Sequence, residues 1–296
     1  MMTDISELFD LTGRVAVVTG GAGLLGAGFC RTLAEAGAHV IIADSNEAAA
    51  VALADSLIQR GFQAQGVAMD ITSARSVKQM VDTSLKTFGH LDILVNSAAL
   101  DPKFDPKHLP DNGEHYIPEK LLDVQTAIPV AGTFEDYPLD AWKQALDVNL
   151  TGAFLCCQAA ARTMLAQGGG VIVNIASIYG LVGPDQRIYE YTARDVPGGR
   201  LYKPVYYSVT KAGILGLTRY LATYYAGKNI RVNALTPGGV FNGHDPAFVQ
   251  AYSARTVLGR MADKDEMNGA LLFLVSDASA YMTGANLVVD GGWTAW

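Results

Sequence analysis

Residues 19–26 read TGGAGLLG, four glycines in eight positions. Ahead of them stands RVAVVT (14–19), a short β-branched run. Behind them, LLGAGFCRTLAEAG (24–37) repeats Leu25, Phe29, Leu33 and Ala36 at helical spacing, and Gly37 is placed to end that helix. The glycines therefore occupy a strand-to-helix turn. Gly21, Gly23 and Gly26 fit G-x-G-x-x-G, and Gly20, Gly23 and Gly26 fit T-G-x-x-G-x-x-G. Such a turn lets backbone N–H groups approach a pyrophosphate, with a helix N-terminus behind them that favours negative charge. A glycine-rich turn without a ligand has the same local pattern, so a second signal is needed.

The second signal is HVIIAD (39–44), a strand ending in Asp44, 18 positions after Gly26. A carboxylate at that distance suits the ribose hydroxyls of NAD. The alternative role for Asp44 is to cap the helix NEAAAVALADSL (46–57). No Lys or Arg lies between Arg31 and Arg60, so nothing nearby is suited to the extra phosphate of NADP, and NAD is the expected cofactor.

Composition excludes several classes. Half of the 296 residues are apolar and the net charge is −7, which argues against nucleic acid or an anionic membrane as partner. No stretch of 18 apolar residues is free of charge, so no transmembrane helix is expected. The acidic start MMTDISELFD lacks a signal-peptide pattern, and Cys30, Cys156 and Cys157 show no framework spacing. A reduced, cytoplasmic chain is expected. The histidines at 39, 90, 108, 115 and 244 show no ligand spacing, so no metal is expected.

Strands and helices alternate along the chain, the pattern of βαβ units and a parallel sheet covered on both faces. The later strands are FQAQGVAMD (62–70), LDILVNSA (91–98), VIVNIAS (171–177), IRVNALTP (230–237) and ANLVVDGG (285–292). Helices are expected at about 139–167, 205–226 and 263–276. This reads as a single α/β domain over 1–296. Two long insertions interrupt it, at about 100–138 and 178–204. Both begin at carboxyl ends of strands, the edge where open α/β sheets bind ligands.

Tyr207-Ser-Val-Thr-Lys211 sets a phenol and an ammonium four apart, on one helix face. A cation beside a phenol favours the phenolate and so improves a poor base. Such a pair also occurs on solvated helix faces. Tyr206 cannot substitute, because its i+4 neighbour is Thr210. Ser177 ends the strand VIVNIAS, where its hydroxyl can meet a substrate oxygen or merely cap the strand end. Asn149 stands among apolar residues in DVNLTGAF, either as a functional amide or as a buried structural one.

In order, the glycine turn, Asp44, Asp70-Ile71, Asn96-Ser-Ala-Ala99, Asn149, Ser177, Tyr207-x-x-x-Lys211 and Pro237-Gly238 resemble the short-chain dehydrogenase/reductase family, in its compact single-domain branch, from about Leu11 to Trp293. The resemblance implies a Rossmann-type doubly wound, seven-stranded parallel sheet and a catalytic tetrad of Asn149, Ser177, Tyr207 and Lys211. It implies that Tyr207 is the acid/base and that Ser177 orients the reacting oxygen. Lys211 would bond the nicotinamide ribose and lower the tyrosine pKa, and Asn149 would anchor a water that relays protons to Lys211. Cofactor contacts are implied for Gly20, Gly23, Leu25, Gly26, Asp44, Asp70, Ile71, Asn96, Tyr207, Lys211, Pro237, Gly238 and Val240. A homo-tetramer or homo-dimer, paired through helices 139–167 and 205–226, is implied as well.

The chain departs from the pattern in places. The compact branch spaces its glycines T-G-x-x-x-G-x-G, whereas here residue 24 is Leu and the glycine falls at 23, as in the nucleotide-sugar branch. Asn96-Ser-Ala-Ala99 replaces Asn-Asn-Ala-Gly.

The insertions are expected to wall the substrate pocket, the alternatives being solvated loops or subunit contacts. The first carries Asp101, Lys103, Asp105, Lys107, His108, Glu114 and His115, the second Arg187, Tyr189, Glu190, Tyr191, Arg194, Arg200, Tyr202 and Lys203; these mixed charges and tyrosines suit a polar, many-hydroxyl substrate such as a sugar, free, phosphorylated or nucleotide-linked. Gly180, Gly183, Gly198 and Gly199 are placed to act as hinges. The expected activity is NAD-dependent interconversion of a secondary alcohol and a ketone. An epimerase or dehydratase using transient oxidation, or a non-catalytic NAD-binding protein, shares the same motifs.

Overall fold

A computed structural model describes residues 4–101, 134–135, 137–193 and 202–296. Seven strands form one sheet: β1 (Val15–Thr19), β2 (His39–Asp44), β3 (Ala64–Ala68), β4 (Ile93–Asn96), β5 (Gly170–Ile175), β6 (Ile230–Pro237) and β7 (Asn286–Val289). All neighbours pair in parallel, in the order β3-β2-β1-β4-β5-β6-β7. Strand order reverses between β1 and β4, which opens a crevice above their carboxyl ends.

β1 and β4 are buried at every position and apolar up to their closing Thr19 and Asn96, because both sheet faces are covered. Successive residues point to opposite faces. Val18, Ile42, Val95 and Val173 face α2 (Leu24–Glu35), α3 (Glu47–Gln59) and α9 (Asn268–Val275). Val17, Ile41, Leu94 and Ile172 face α4 (Ala74–Phe88), α6 (Gly152–Gln167) and α7 (Val205–Tyr224). Emptying one such position, as in Leu33→Ala on α2, costs about 2–5 kcal/mol.

Two short helices escape the periodicity reading. They are α1 (Ile5–Leu8) and α8 (Pro246–Ser253), the latter capped by the Asp245 side chain and begun by Pro246. The segment expected as one helix at 139–167 is α5 (Leu139–Leu146), a π-helical turn at Asp147–Thr151, and then α6. The extra residue of a π turn rotates the side chains that follow, and Asn149 sits inside it, almost fully buried.

Most of the first insertion, at 102–133 and 136, lies outside the described residues, as do Gly198 and Gly199. The second insertion is not an open loop in its described part. It contains 3-10 turns at Ile178–Gly180 and Gln186–Ala193, with Ile188 and Tyr189 buried. Tyr189 packs against Phe248 of α8, ring centroids 5.4 Å apart, and donates its hydroxyl to Tyr179 at 3.0 Å. Gly180, expected as a hinge, is tightly packed. A Cβ there would lie 2.7 Å from the Lys211 backbone, so its bare Cα is what lets the 178–180 turn dock on α7.

Candidate active site

The glycine turn closes on itself. Gly20 has a φ of +61°, and its Cα faces Ala98 so closely that a Cβ would lie 2.7 Å from the Ala98 Cα. A Cβ on Gly26 would come within 2.1 Å of the Gly20 carbonyl oxygen. Thr19, one residue earlier, accepts from the backbone N–H groups of Ser97 and Ala98 through its Oγ1, both at 3.2 Å, which binds the turns after β1 and β4 together. Gly23 is the N-cap of α2 and offers no side chain, so the first turn of that helix faces the crevice uncapped. A cradle of bare backbone before an uncapped helix start fits a pyrophosphate.

Asp44 is not the cap of α3. Asn46 does that, accepting from Ala49 N at 3.1 Å. The Asp44 carboxylate instead accepts from Ala22 N and Asn46 N, both at 3.0 Å, and stands at the crevice wall beside Ser45. Asp70 is held by Thr72, and Ile71 lies on the start of α6, where a Cβ on Gly152 would strike it at 2.7 Å.

The crevice continues into a cleft of about 1560 Å3. Gly20, Gly23, Leu25, Gly26, Asp44, Asp70, Ile71, Ser177, Tyr207, Lys211, Pro237, Gly238 and Val240 all line it, so chain segments far apart in sequence meet as expected. Two expected residues do not line it. Asn96 turns its amide inward, donating to Asn174 at 2.8 Å and to the Cys157 sulfur at 3.2 Å, and leaves the wall to Ser97, Ala98 and Ala99. The reason is register. Asn96 pairs with Asn174 across β4 and β5, which points its Nδ2 at the Asn174 Oδ1 in the core, while its own Oδ1 is buried without a partner.

Asn149 spends its amide on the chain that leaves β4. Its Oδ1 accepts from Leu100 N at 2.6 Å and its Nδ2 donates to Leu100 O at 3.0 Å. It thereby fixes the backbone immediately before Asp101.

Ser177 stands two residues past β5 and lines the cleft with Tyr207; its hydroxyl oxygen accepts from Tyr179 N at 3.2 Å. Lys211, one turn along α7, is buried. Its Nζ stands 5.7 Å from the centre of the Tyr207 ring and donates to Ile175 O at 2.8 Å. Burial pushes the Lys211 ammonium down to about 8; the Asp101 charge opposes this and the Lys203 charge adds to it. The Tyr207 phenol is held well above its ordinary value, first by burial and then by Asp101, against the pull of the Ser177 hydroxyl. The sequence reading expects Lys211 to lower that phenol. In the structure desolvation wins, and the Lys211 ammonium is committed to a backbone carbonyl. Tyr206 is fully buried, and its hydroxyl has no partner.

For the far wall the sequence offered only the region 240–256, as the place to seek the pocket if the insertions proved architectural. Tyr252 of α8 accepts from the backbone N–H of Gly239 through its hydroxyl oxygen and stacks on Trp293, ring centroids 4.3 Å apart. A Cβ on Gly239 would strike the Tyr252 ring at 2.5 Å, and one on Gly238 would lie 2.8 Å from the Asp290 Cα. The Pro237-Gly238-Gly239 turn therefore has to be bare. Pro246 after Asp245 was the available signal for α8.

The short chain dehydrogenase family model matches residues 14–193, and an enoyl-(acyl carrier protein) reductase model matches 123–294. The chain is 37% identical to cis-4-hydroxycyclohexanecarboxylate dehydrogenase of Sinomonas cyclohexanicum, over 95% of this chain and 97% of that one. It is 35% identical to D-threitol dehydrogenase of Mycolicibacterium smegmatis, over 99% of each. A crystal structure of a gluconate 5-dehydrogenase from Burkholderia cenocepacia in complex with NADP and tartrate superposes with a TM-score of 0.80 at 30% identity, covering 98% of this chain and 99% of that one. The chain belongs to the short-chain dehydrogenase/reductase family. That family consists of oxidoreductases that use a nicotinamide cofactor. Among the described residues no helix is long and apolar enough to cross a membrane.

Proposed function

We propose that the protein interconverts a secondary alcohol and a ketone on a small polar substrate, with NAD as its cofactor. The carrying observation is that Ser177, Tyr207 and buried Lys211, its Nζ 5.7 Å from the centre of the Tyr207 ring, line the same cleft as the glycine turn and Asp44. The turn at Gly20–Gly26 would hold the pyrophosphate and Asp44 the adenosine ribose; Asp70 and Ile71 would border the adenine, and Pro237 to Val240 the nicotinamide. When bound, the nicotinamide takes up or gives back the hydride.

The chain's own residues manage the oxygen and its proton. Ser177 and Tyr207 hold the reacting oxygen between two hydroxyls. A phenol kept neutral is ready to donate its proton to a ketone oxygen. The opposite direction needs the phenolate, so alkaline pH favours alcohol oxidation. Lys211 keeps a positive charge near that phenolate. Asn149 serves as a positioning residue through Leu100 rather than by touching substrate.

NAD is preferred because a carboxylate at Asp44 repels a ribose phosphate, and no Lys or Arg lies between Arg31 and Arg60. A dimer or tetramer is supported by the exposed apolar residues Phe154 and Leu165 on α6 and Tyr220 and Tyr224 on α7. The test of the activity is NADH formation at 340 nm, roughly the dihydronicotinamide band, over a panel of polyols and cyclic alcohols with each cofactor. NAD-dependent oxidation at least about tenfold more efficient than with NADP is expected. Absence of turnover with every alcohol, or equal use of NADP, refutes the corresponding half of the reading.

A further inference from the structure

The Tyr207 ring carries a second cation that the four-residue spacing to Lys211 does not account for. The Lys203 Nζ stands 4.0 Å from the centre of that ring and 6.0 Å from the centre of the Tyr179 ring. Lys203 is 8% exposed and lines the cleft. Its backbone is gripped at both ends by the Gln186 amide, with Lys203 N donating to Oε1 at 2.8 Å and Nε2 donating to Lys203 O at 3.1 Å. Its ammonium is paired with the carboxylate of Asp101, whose side chain is 53% exposed. Asp101 in turn follows Leu100, which Asn149 holds in place. Both partners are therefore fixed from behind, and both face the substrate side of the cleft.

We propose that the Asp101–Lys203 pair receives a second hydroxyl on the carbon next to the one oxidised, so that the substrate is a vicinal diol or polyol. This inference rests on the alcohol–ketone reading above and deepens it. A hydroxyl is both donor and acceptor. An ion pair offers an acceptor and donors side by side, so one hydroxyl answers both. Lys203 overhangs the ring whose hydroxyl binds the reacting oxygen, which places the pair beside the neighbouring carbon. A mono-alcohol puts C–H against the pair and leaves ammonium donors of a desolvated group without a substrate partner.

A carboxylate is the poorer occupant. Asp101 already neutralises Lys203, and Asp147 and Asp245 line the same cleft. An anion there meets the Asp101 carboxylate and finds the Lys203 charge already paired. The aromatic side of the cleft, with Tyr179, Tyr189 and Phe248, covers the C–H face of a ring or chain.

The test compares kcat/KM for cyclohexanol, cis- and trans-1,2-cyclohexanediol and 2-hydroxycyclohexanecarboxylate with NAD. The better diol is expected to exceed cyclohexanol by about tenfold or more, since tenfold corresponds to about 1.4 kcal/mol. That ratio should fall towards one in Lys203→Met and in Asp101→Asn, with Lys203→Arg retaining part of it. NAD affinity, read by fluorescence, shows which variants keep a folded site; Asp101→Asn, at a half-exposed position, supplies the result if Lys203→Met does not fold. A wild-type ratio near one, a preference for the hydroxycarboxylate over both diols, or a ratio unchanged in Asp101→Asn overturns the inference. If no alcohol is oxidised, the activity reading fails by itself. Calorimetric titration of diol and cyclohexanol into the NAD complex then still decides the diol site, and diol binding no tighter than cyclohexanol overturns it.

Discussion

The two ends of the cleft are built by opposite means. At the β1–β2 end the surface is backbone, with the bare Cα atoms of Gly20, Gly23 and Gly26, an uncapped helix start, and one carboxylate at Asp44. At the β5–β6 end the surface is side chains from three separate segments, with Tyr179 and Tyr189 from one, Lys203 and Tyr207 from the next, and Phe248 and Tyr252 from α8. The first end has no room for variation, because a Cβ at Gly26 collides with backbone rather than with a movable side chain. The second end has bulk to exchange, since each aromatic ring touches others that can repack. A dinucleotide site made of backbone can serve many relatives, while a wall made of side chains can be recut for each substrate.

The largest expected effect tests where the two ends meet. Tyr207→Phe keeps the ring under Lys203 and removes only the oxygen that moves the proton. Turnover should fall by about 10^3-fold, within the range for a lost general acid, while NAD affinity stays within a factor of about two. Retained turnover would show that the proton leaves by another group.

Gly26→Ala attacks the backbone end alone. Its Cβ would meet the Gly20 carbonyl at 2.1 Å, so the turn has to open. NAD binding should weaken by about 10–100-fold, or about 1.4–2.8 kcal/mol, as measured by calorimetry. An unchanged dissociation constant would mean that the turn is plastic, and the contrast between the two ends would disappear.

Lys211 stands at the junction and carries a pH signature. It titrates near pH 8 when folded and near 10.5 when unfolded. Between those values the unfolded chain binds the extra proton, so the stability of the cofactor-free chain should rise with pH through that window. Below about 8 both states are protonated, and the cost of burying the ammonium stands in full. Urea unfolding of wild type and Lys211→Met at pH 7.5 and 10 isolates the effect. A wild-type-minus-variant difference that stays flat across the two pH values would refute it.

The smallest expected effect concerns the side-chain end. Asp185 pairs with Arg187 and with Arg255, and the Arg255 guanidinium lies 5.2 Å from the Trp293 ring centre. This ties the 186–193 turn to the C-terminal wall. Asp185→Asn should raise the substrate KM by about 2–5-fold, in keeping with loss of an ion pair of roughly 0.2–1 kcal/mol, with NAD affinity unchanged. A change in NAD affinity instead would mean that the two ends are coupled through the wall.

Local spacing decided part of this in advance. The alternation of β-branched runs and 3.6-residue periods, the turn at 19–26, the four-residue step from Tyr207 to Lys211 and the position of Asp44 all follow from short-range geometry, which sequence carries directly. Tertiary structure decided what those residues face. Asn96 turned into the core because its register partner is Asn174, and Asn149 turned to Leu100 because a π turn interrupts its helix. Gly180, which reads as a hinge, became a packing contact once α7 lay against it. Asp101 and Lys203 are 102 residues apart, and no local period encodes their meeting. It depends on the path of the chain over the sheet edge and on which polar groups desolvation forces to find one another there.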